Sequence, residues 1–284
     1  MNPHYDAILQ MQGIDQLQSL VTKWNTLSEN LQSRAFDAPI LLPDIFLYTY
    51  PGAGNTRILE AVANFLDSCK NLMSFYGDVK FFEFKLGYNK PGERFSELYR
   101  FADTVSAAAG FRNEYRGIIR INVDEWVEHS NEKHFLEFLS YLQESTDRWL
   151  IFLTLSSYQP GEKTAEIEAI ASMYLRLETV VLSCPATADL VEYAKQCVGK
   201  YGLEIDASGA EVLSGAIDVL RKNKHFYGYH TVSALCSDIV YSLYSGGTVA
   251  TRVLTGELLR DFSADSSYIK RSVIRKKHAA TIGF

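Results

Sequence analysis

The chain has 284 residues, 47% hydrophobic and 22% charged, with a formal net charge of −6 and a pI near 5.6. This is the composition of an ordinary folded protein, long enough for one large domain or two modest ones. The acidic balance counts against a surface that holds nucleic acid throughout, while leaving room for a local basic patch. No uninterrupted apolar run approaches the ~18 residues of a bilayer span. The start, Met1-Asn2-Pro3-His4-Tyr5-Asp6, lacks the basic lead and apolar core of a signal peptide. Cys69, Cys184, Cys197 and Cys236 are far apart and form no C-x-x-C pair. They argue against zinc and for a reducing, cytoplasmic setting, with the thiols packed as small hydrophobes.

Residues from about 6 to 34 read as helical, because Leu17, Leu20, Val21, Trp24, Leu27 and Leu31 recur at steps of three and four. Gly13 divides this stretch, and Pro39 and Pro43 end it. Ile45-Phe46-Leu47-Tyr48 reads as a buried strand, and Ile58 to Leu66 as a helix. Asp78–Leu86 is an aromatic-rich strand, with a loop from Leu86 to Glu93. Arg94–Ala109 is a helix stopped by Gly110. Strands follow at Gly117–Val123, Trp149–Leu155 and Thr179–Leu182, separated by helices around Phe135–Leu142 and Glu162–Leu175. Five strands alternating with helices predict an α/β fold, a parallel sheet covered on both faces. After Pro185 the strands stop. Helices are expected to open at Thr187, at Asp206 or Ser208, and at Thr231, with Gly202 and Gly246-Gly247 as stops. The end of the chain, Lys270-Arg271 to Arg275-Lys276-Lys277-His278, is basic.

Between the first strand and its helix lies Thr49-Tyr50-Pro51-Gly52-Ala53-Gly54-Asn55-Thr56. Strand, glycine-rich turn and helix form the setting of a phosphate loop, whose pattern is G-x-x-x-x-G-K-[ST]. Small residues there let backbone N–H groups and a helix N-terminus face a phosphate. Gly54 and Thr56 fit the pattern. Thr49 stands where the first glycine belongs, and Asn55 where the lysine belongs. Further on, Ile118-Ile119-Arg120-Ile121-Asn122-Val123 runs into Asp124-Glu125. An apolar strand ending in Asp-Glu is the second acidic motif of such NTPases. Its aspartate serves Mg²⁺ and its glutamate the attacking water. Arg120 and Asn122 make this run less apolar than usual.

Taken in order, these features resemble the AAA+ ATPase superfamily over almost the whole chain. They are the helical lead-in, the Pro51–Thr56 loop, Asp124-Glu125, the Trp149–Ser157 strand, a fifth strand and a three-helix lid. The resemblance implies a five-stranded parallel P-loop NTPase sheet followed by a small all-α lid. The implied organisation is a lead-in over 1–40, a nucleotide-binding domain over 41–184, a lid over 185–262 and a basic tail over 263–284. It further implies ATP or ADP held by Pro51, Gly52, Ala53, Gly54, Asn55, Thr56 and Arg57, with Mg²⁺ on Thr56 and Asp124. Asp124 and Glu125 take the catalytic roles. The first sensor falls on Thr154, Ser156 or Ser157, with Ser156 favoured. Arg176 matches an arginine finger offered to a neighbouring subunit. The second-sensor arginine is missing from Gly228-Tyr229-His230-Thr231, where His230 is the nearest substitute. Tyr88 lies where such rings place a pore loop.

The departures shape the functional expectation. Asn55 cannot bring a positive charge to the β- and γ-phosphates, and the second-sensor arginine is absent too. Each such group is often worth ~3–4 kcal/mol of transition-state stabilisation. The expectation is a degenerate AAA+ protein with weak or no hydrolysis. It would act as an assembly, remodelling or regulatory subunit, in a homo-oligomer or beside an active AAA+ paralogue, on a protein client. The alternatives are a slow but genuine ATPase and a DNA-replication loader or clamp-loader-like subunit. The net charge of −6 counts against the last of these.

Overall fold

The computed structural model describes residues 2–33, 42–69, 72, 81–109, 117–145, 149–156, 161–222, 226–245 and 252–260. Pro39, Val79-Lys80, Gly110, Ser157, Gly246-Gly247 and the basic tail fall outside these residues. Two compact units are present: Met1–Tyr50 with Asn55–Ser183, and Pro51–Gly54 with Cys184–Phe284.

The first unit opens with α1 (Pro3–Leu9) and α2 (Asp15–Ser33), parted at Gly13, whose φ is +74°. The buried face of α2 is Leu17, Leu20, Val21, Trp24, Ser28 and Leu31. Ser28 takes the place that periodicity assigned to Leu27. Counted from Trp24, the steps of four and seven reach 28 and 31, so Leu27 lies beside the stripe.

The sheet contains β1 (Asp44–Thr49), β2 (Phe81–Lys85), β3 (Gly117–Asn122), β4 (Trp149–Ser156) and β5 (Leu177–Val181). Its order is β2-β3-β4-β1-β5 and every pairing is parallel. The α/β expectation is met strand for strand. β1 and β4 lie inside the sheet, buried along almost their whole length, and both read as continuous apolar runs. β2 is an edge strand and alternates: Phe82 and Phe84 face one side, Glu83 and Lys85 the other.

Between the strands lie α3 (Asn55–Ser68), α4 (Ser96–Ala109), a 3₁₀ turn at Asp124–Trp126, α5 (Lys133–Ser145) and α6 (Glu162–Ala171). On one side of the sheet, Phe46, Tyr48, Phe84, Ile119, Ile121 and Leu153 pack against Phe101 of α4, Phe138 of α5 and Ile167 of α6. Phe101 meets Phe84 and Phe138 edge-on, each at a centroid distance of 5.0 Å. Trp126 is fully buried within this layer. The opposite side carries Thr49, Glu83, Lys85, Arg120 and Thr154, the residues of opposite parity.

The second unit holds α7 (Thr187–Gly199), α8 (Ala207–Arg221), α9 (Tyr229–Ser245) and α10 (Gly256–Arg260). Leu190, Ala194, Val198, Ile217, Val232 and Leu235 fill its centre. Asp206 caps α8 by accepting the Gly209 N–H at 2.7 Å. α9 begins two residues before Thr231, whose hydroxyl is buried and accepts the Tyr227 N–H at 2.9 Å. This helical unit also carries a two-residue parallel pair, β6 (Glu204–Ile205) with β7 (Val253–Leu254), too short to leave a periodic signal.

Candidate nucleotide site

Open parallel sheets bind ligands at the carboxyl ends of their strands. That edge here carries Thr49 at the end of β1, Asp124-Glu125 after β3 and Ser156 at the end of β4. The turn after β1 needs its glycines. Gly52 has φ +86° and Gly54 φ +79°, a region that side chains avoid. A Cβ on Gly52 would lie 1.9 Å from the carbonyl oxygen of Tyr227, which belongs to the same compact unit, whereas one on Gly54 would meet nothing within 4 Å.

The two residues that depart from the phosphate-loop pattern are bonded to each other. Thr49 Oγ1 donates to Asn55 Oδ1 at 2.7 Å, and Thr49 is fully buried. The Thr56 hydroxyl donates to Glu83 Oε1 at 2.9 Å. Arg120 Nη1 donates to the same oxygen at 2.6 Å, while its Nε reaches Thr154 Oγ1 at 3.3 Å. Thr154 is fully buried and donates to the Ile121 carbonyl at 3.3 Å. It is part of the strand's internal wiring.

Asp124 is held by its neighbours in the sheet. Its Oδ1 accepts the Ser156 backbone N–H at 2.6 Å, and its Oδ2 accepts from Asn122 Nδ2 at 2.9 Å. Ser156 therefore serves Asp124 through its main chain. Glu125 forms an ion pair with Lys85 and accepts the Tyr88 N–H at 3.0 Å. The Lys85 bond, with the Tyr88 N–H second, holds the Glu125 carboxyl below the usual carboxylate range, and Glu125 raises Lys85 in turn.

Arg57 is exposed on α3. Arg176 is exposed at the amino end of β5, where its carbonyl accepts the Asp44 N–H at 2.9 Å. That is the sheet edge opposite Asp124. His230 sits in the first turn of α9, in the second unit with Pro51, Gly52, Ala53 and Gly54. Tyr88 packs back on the chain: it stacks on His129 at 3.8 Å, meets Trp126 edge-on at 5.2 Å and donates to Glu132 at 3.1 Å.

Sequence reading missed Glu83 and Lys85. The sequence offered two charges at alternate positions of an otherwise aromatic strand, and only the β2–β3 register sets Glu83 opposite Arg120.

A magnesium nucleotide needs the loop's backbone and cation for its phosphates, and a threonine hydroxyl oxygen and an aspartate for its metal. Asp124 keeps spare acceptor capacity. The Asn55 side chain is engaged by Thr49 and supplies no cation, whereas Thr56, which donates to Glu83, keeps its oxygen lone pairs. As arranged, Thr56 and Asp124 fit a metal, and position 55 does not fit the phosphates.

No protein-family model matches the sequence, and no curated protein matches it. Solved structures do match the fold. The Holliday junction branch migration motor RuvB of Thermotoga maritima is 14% identical over 89% of this chain and 72% of that one, with a TM-score of 0.50. The FIGL-1 AAA domain is 15% identical over 95% and 88% respectively, also with a TM-score of 0.50. The chain is thus structurally similar to AAA+ ATPases: a sheet of order 2-3-4-1-5 followed by a helical region.

Proposed function

We propose that this chain is an AAA+-like protein with a degenerate nucleotide site, working as a weakly hydrolysing or non-hydrolysing subunit of an oligomer. The observation that carries this reading is the Thr49–Asn55 hydrogen bond, which spends the lysine position on the loop's own side chain. The engagement of Thr56 by Glu83 and of Glu125 by Lys85 supports it. Arg176, exposed on the edge away from the chain's own acidic pair, is suited to act on a neighbour's site. The partner is a second copy or an active AAA+ protein, and the client is a protein.

The test is a steady-state ATPase assay with and without Mg²⁺ on the wild type and Glu125→Gln. The expected turnover is far below the ~1 s⁻¹ of slow ordinary enzymes. Turnover at that level, abolished in Glu125→Gln, would sink the degenerate-site reading and favour a slow ATPase. The retained Asp124-Glu125 pair keeps that second reading in view. A DNA-loader role gains support from fold likeness to a branch-migration motor and loses it to the net charge of −6. Salt-dependent binding to duplex DNA would revive it.

A further inference from the structure

We propose that Glu83 is a built-in anion occupying the phosphate position of this site, and that Arg120 is the cation standing in for the missing loop lysine. The inference rests on the reading of the site as a degenerate nucleotide site.

Two donors from different elements converge on one oxygen. Thr56 Oγ1, in the first turn of α3, lies 2.9 Å from Glu83 Oε1, and Arg120 Nη1, from β3, lies 2.6 Å from the same atom. A hydroxyl and a guanidinium on a single anionic oxygen is how a phosphate oxygen is held. Thr56 is the loop position whose hydroxyl serves Mg²⁺ in the motif, beside the nucleotide's phosphates. An anion replacing the Glu83 carboxylate would keep both hydrogen bonds and bring more negative charge to Arg120.

The arrangement is built into the sheet. Glu83 and Arg120 are register partners on adjacent strands. The Arg120 side chain is only 18% exposed, and the fully buried Thr154 fixes its Nε end. Glu83, at 39% side-chain exposure on an edge strand, has room to swing out and leave the guanidinium behind. Its carboxylate is then an internal competitor for incoming phosphate. An ordinary half-exposed ion pair would add at most ~1 kcal/mol of stability and would leave ligand affinity alone.

The experiment titrates a fluorescent ATP analogue into the wild type, Glu83→Gln, Glu83→Ala, Glu83→Ala/Arg120→Gln and Asn55→Lys. Circular dichroism melts confirm that each variant is folded. Glu83→Ala is expected to bind at least tenfold more tightly than the wild type, with Glu83→Gln in between. The double variant returns to the wild-type level. The isosteric Glu83→Gln carries the test should Glu83→Ala not fold. No gain on removing the Glu83 charge overturns the proposal, as does a double variant that binds as tightly as Glu83→Ala. If Asn55→Lys binds while the Glu83 variants show no gain, this inference alone fails. If neither binds, the nucleotide-site reading fails with it.

Discussion

Thr49 Oγ1 donates to Asn55 Oδ1 at 2.7 Å, so the two departures from the phosphate-loop pattern satisfy each other. Thr49 is fully buried, and its hydroxyl would otherwise want a partner. The hydroxyl at 49 and the amide at 55 make one local device that closes the loop on itself.

That coupling predicts the behaviour of reversions. Asn55→Lys alone restores a cation but leaves the buried Thr49 hydroxyl without its acceptor. Thr49→Gly/Asn55→Lys restores the cation and removes the orphan. The double variant should bind ATP at least tenfold more tightly than Asn55→Lys, a difference of about 1.4 kcal/mol, read by isothermal titration calorimetry. Equal affinities would mean that Thr49 does not obstruct the loop.

The glycines should differ sharply. Gly52→Ala places a Cβ 1.9 Å from the Tyr227 carbonyl oxygen on top of a φ of +86°, whereas Gly54→Ala carries only the backbone strain. That strain alone is ~1–2 kcal/mol. Thermal melts should show Gly54→Ala modestly destabilised and Gly52→Ala much more so. A Gly52→Ala melt within a degree of wild type would show that Tyr227 yields easily.

Asp44 should set a pH dependence of stability. It is 6% exposed at the start of β1 and accepts the Ile151 N–H at 2.9 Å. Burial raises its carboxyl from 3.8 to about 7, against the lowering effect of that hydrogen bond. The folded state therefore holds the proton more tightly than the unfolded chain. The Asp44 contribution to stability is full below about pH 4, is lost as pH rises through 7, and is flat above it. The loss is of order 4 kcal/mol at ~1.4 kcal/mol per pH unit. Asp44→Asn can still accept the Ile151 N–H and carries no charge. Urea unfolding at pH 5, 6.5 and 8 should show its advantage over wild type growing with pH. An advantage that is flat across these three pH values would remove Asp44 as the cause.

Arg176 should matter only in an assembly. It is exposed, so Arg176→Ala should leave the melting temperature of the chain unchanged. Mixed with an active AAA+ partner, wild type should stimulate ATP hydrolysis and Arg176→Ala should not. A chain that stays monomeric at every concentration, with or without ATP, and stimulates no partner would exclude the role in trans.

The sequence by itself determined the alternation of strands and helices, because β1 and β4 are apolar on both faces and α2 and α3 on one. Periodicity and glycine punctuation are local properties, and they located the five strands, the loop and the acidic pair. Local pattern also showed that position 55 lacks a lysine. Tertiary structure alone decided what the remaining side chains do. Glu83, Arg120 and Thr56 come from three separate elements and meet only because β2 pairs with β3 in register and α3 lies over that face. Lys85 reaches Glu125 for the same reason. A hydrogen bond between residues 27 or 37 positions apart depends on sheet order and register. No short-range pattern in the chain encodes these, because they follow from how the whole apolar surface is buried at once.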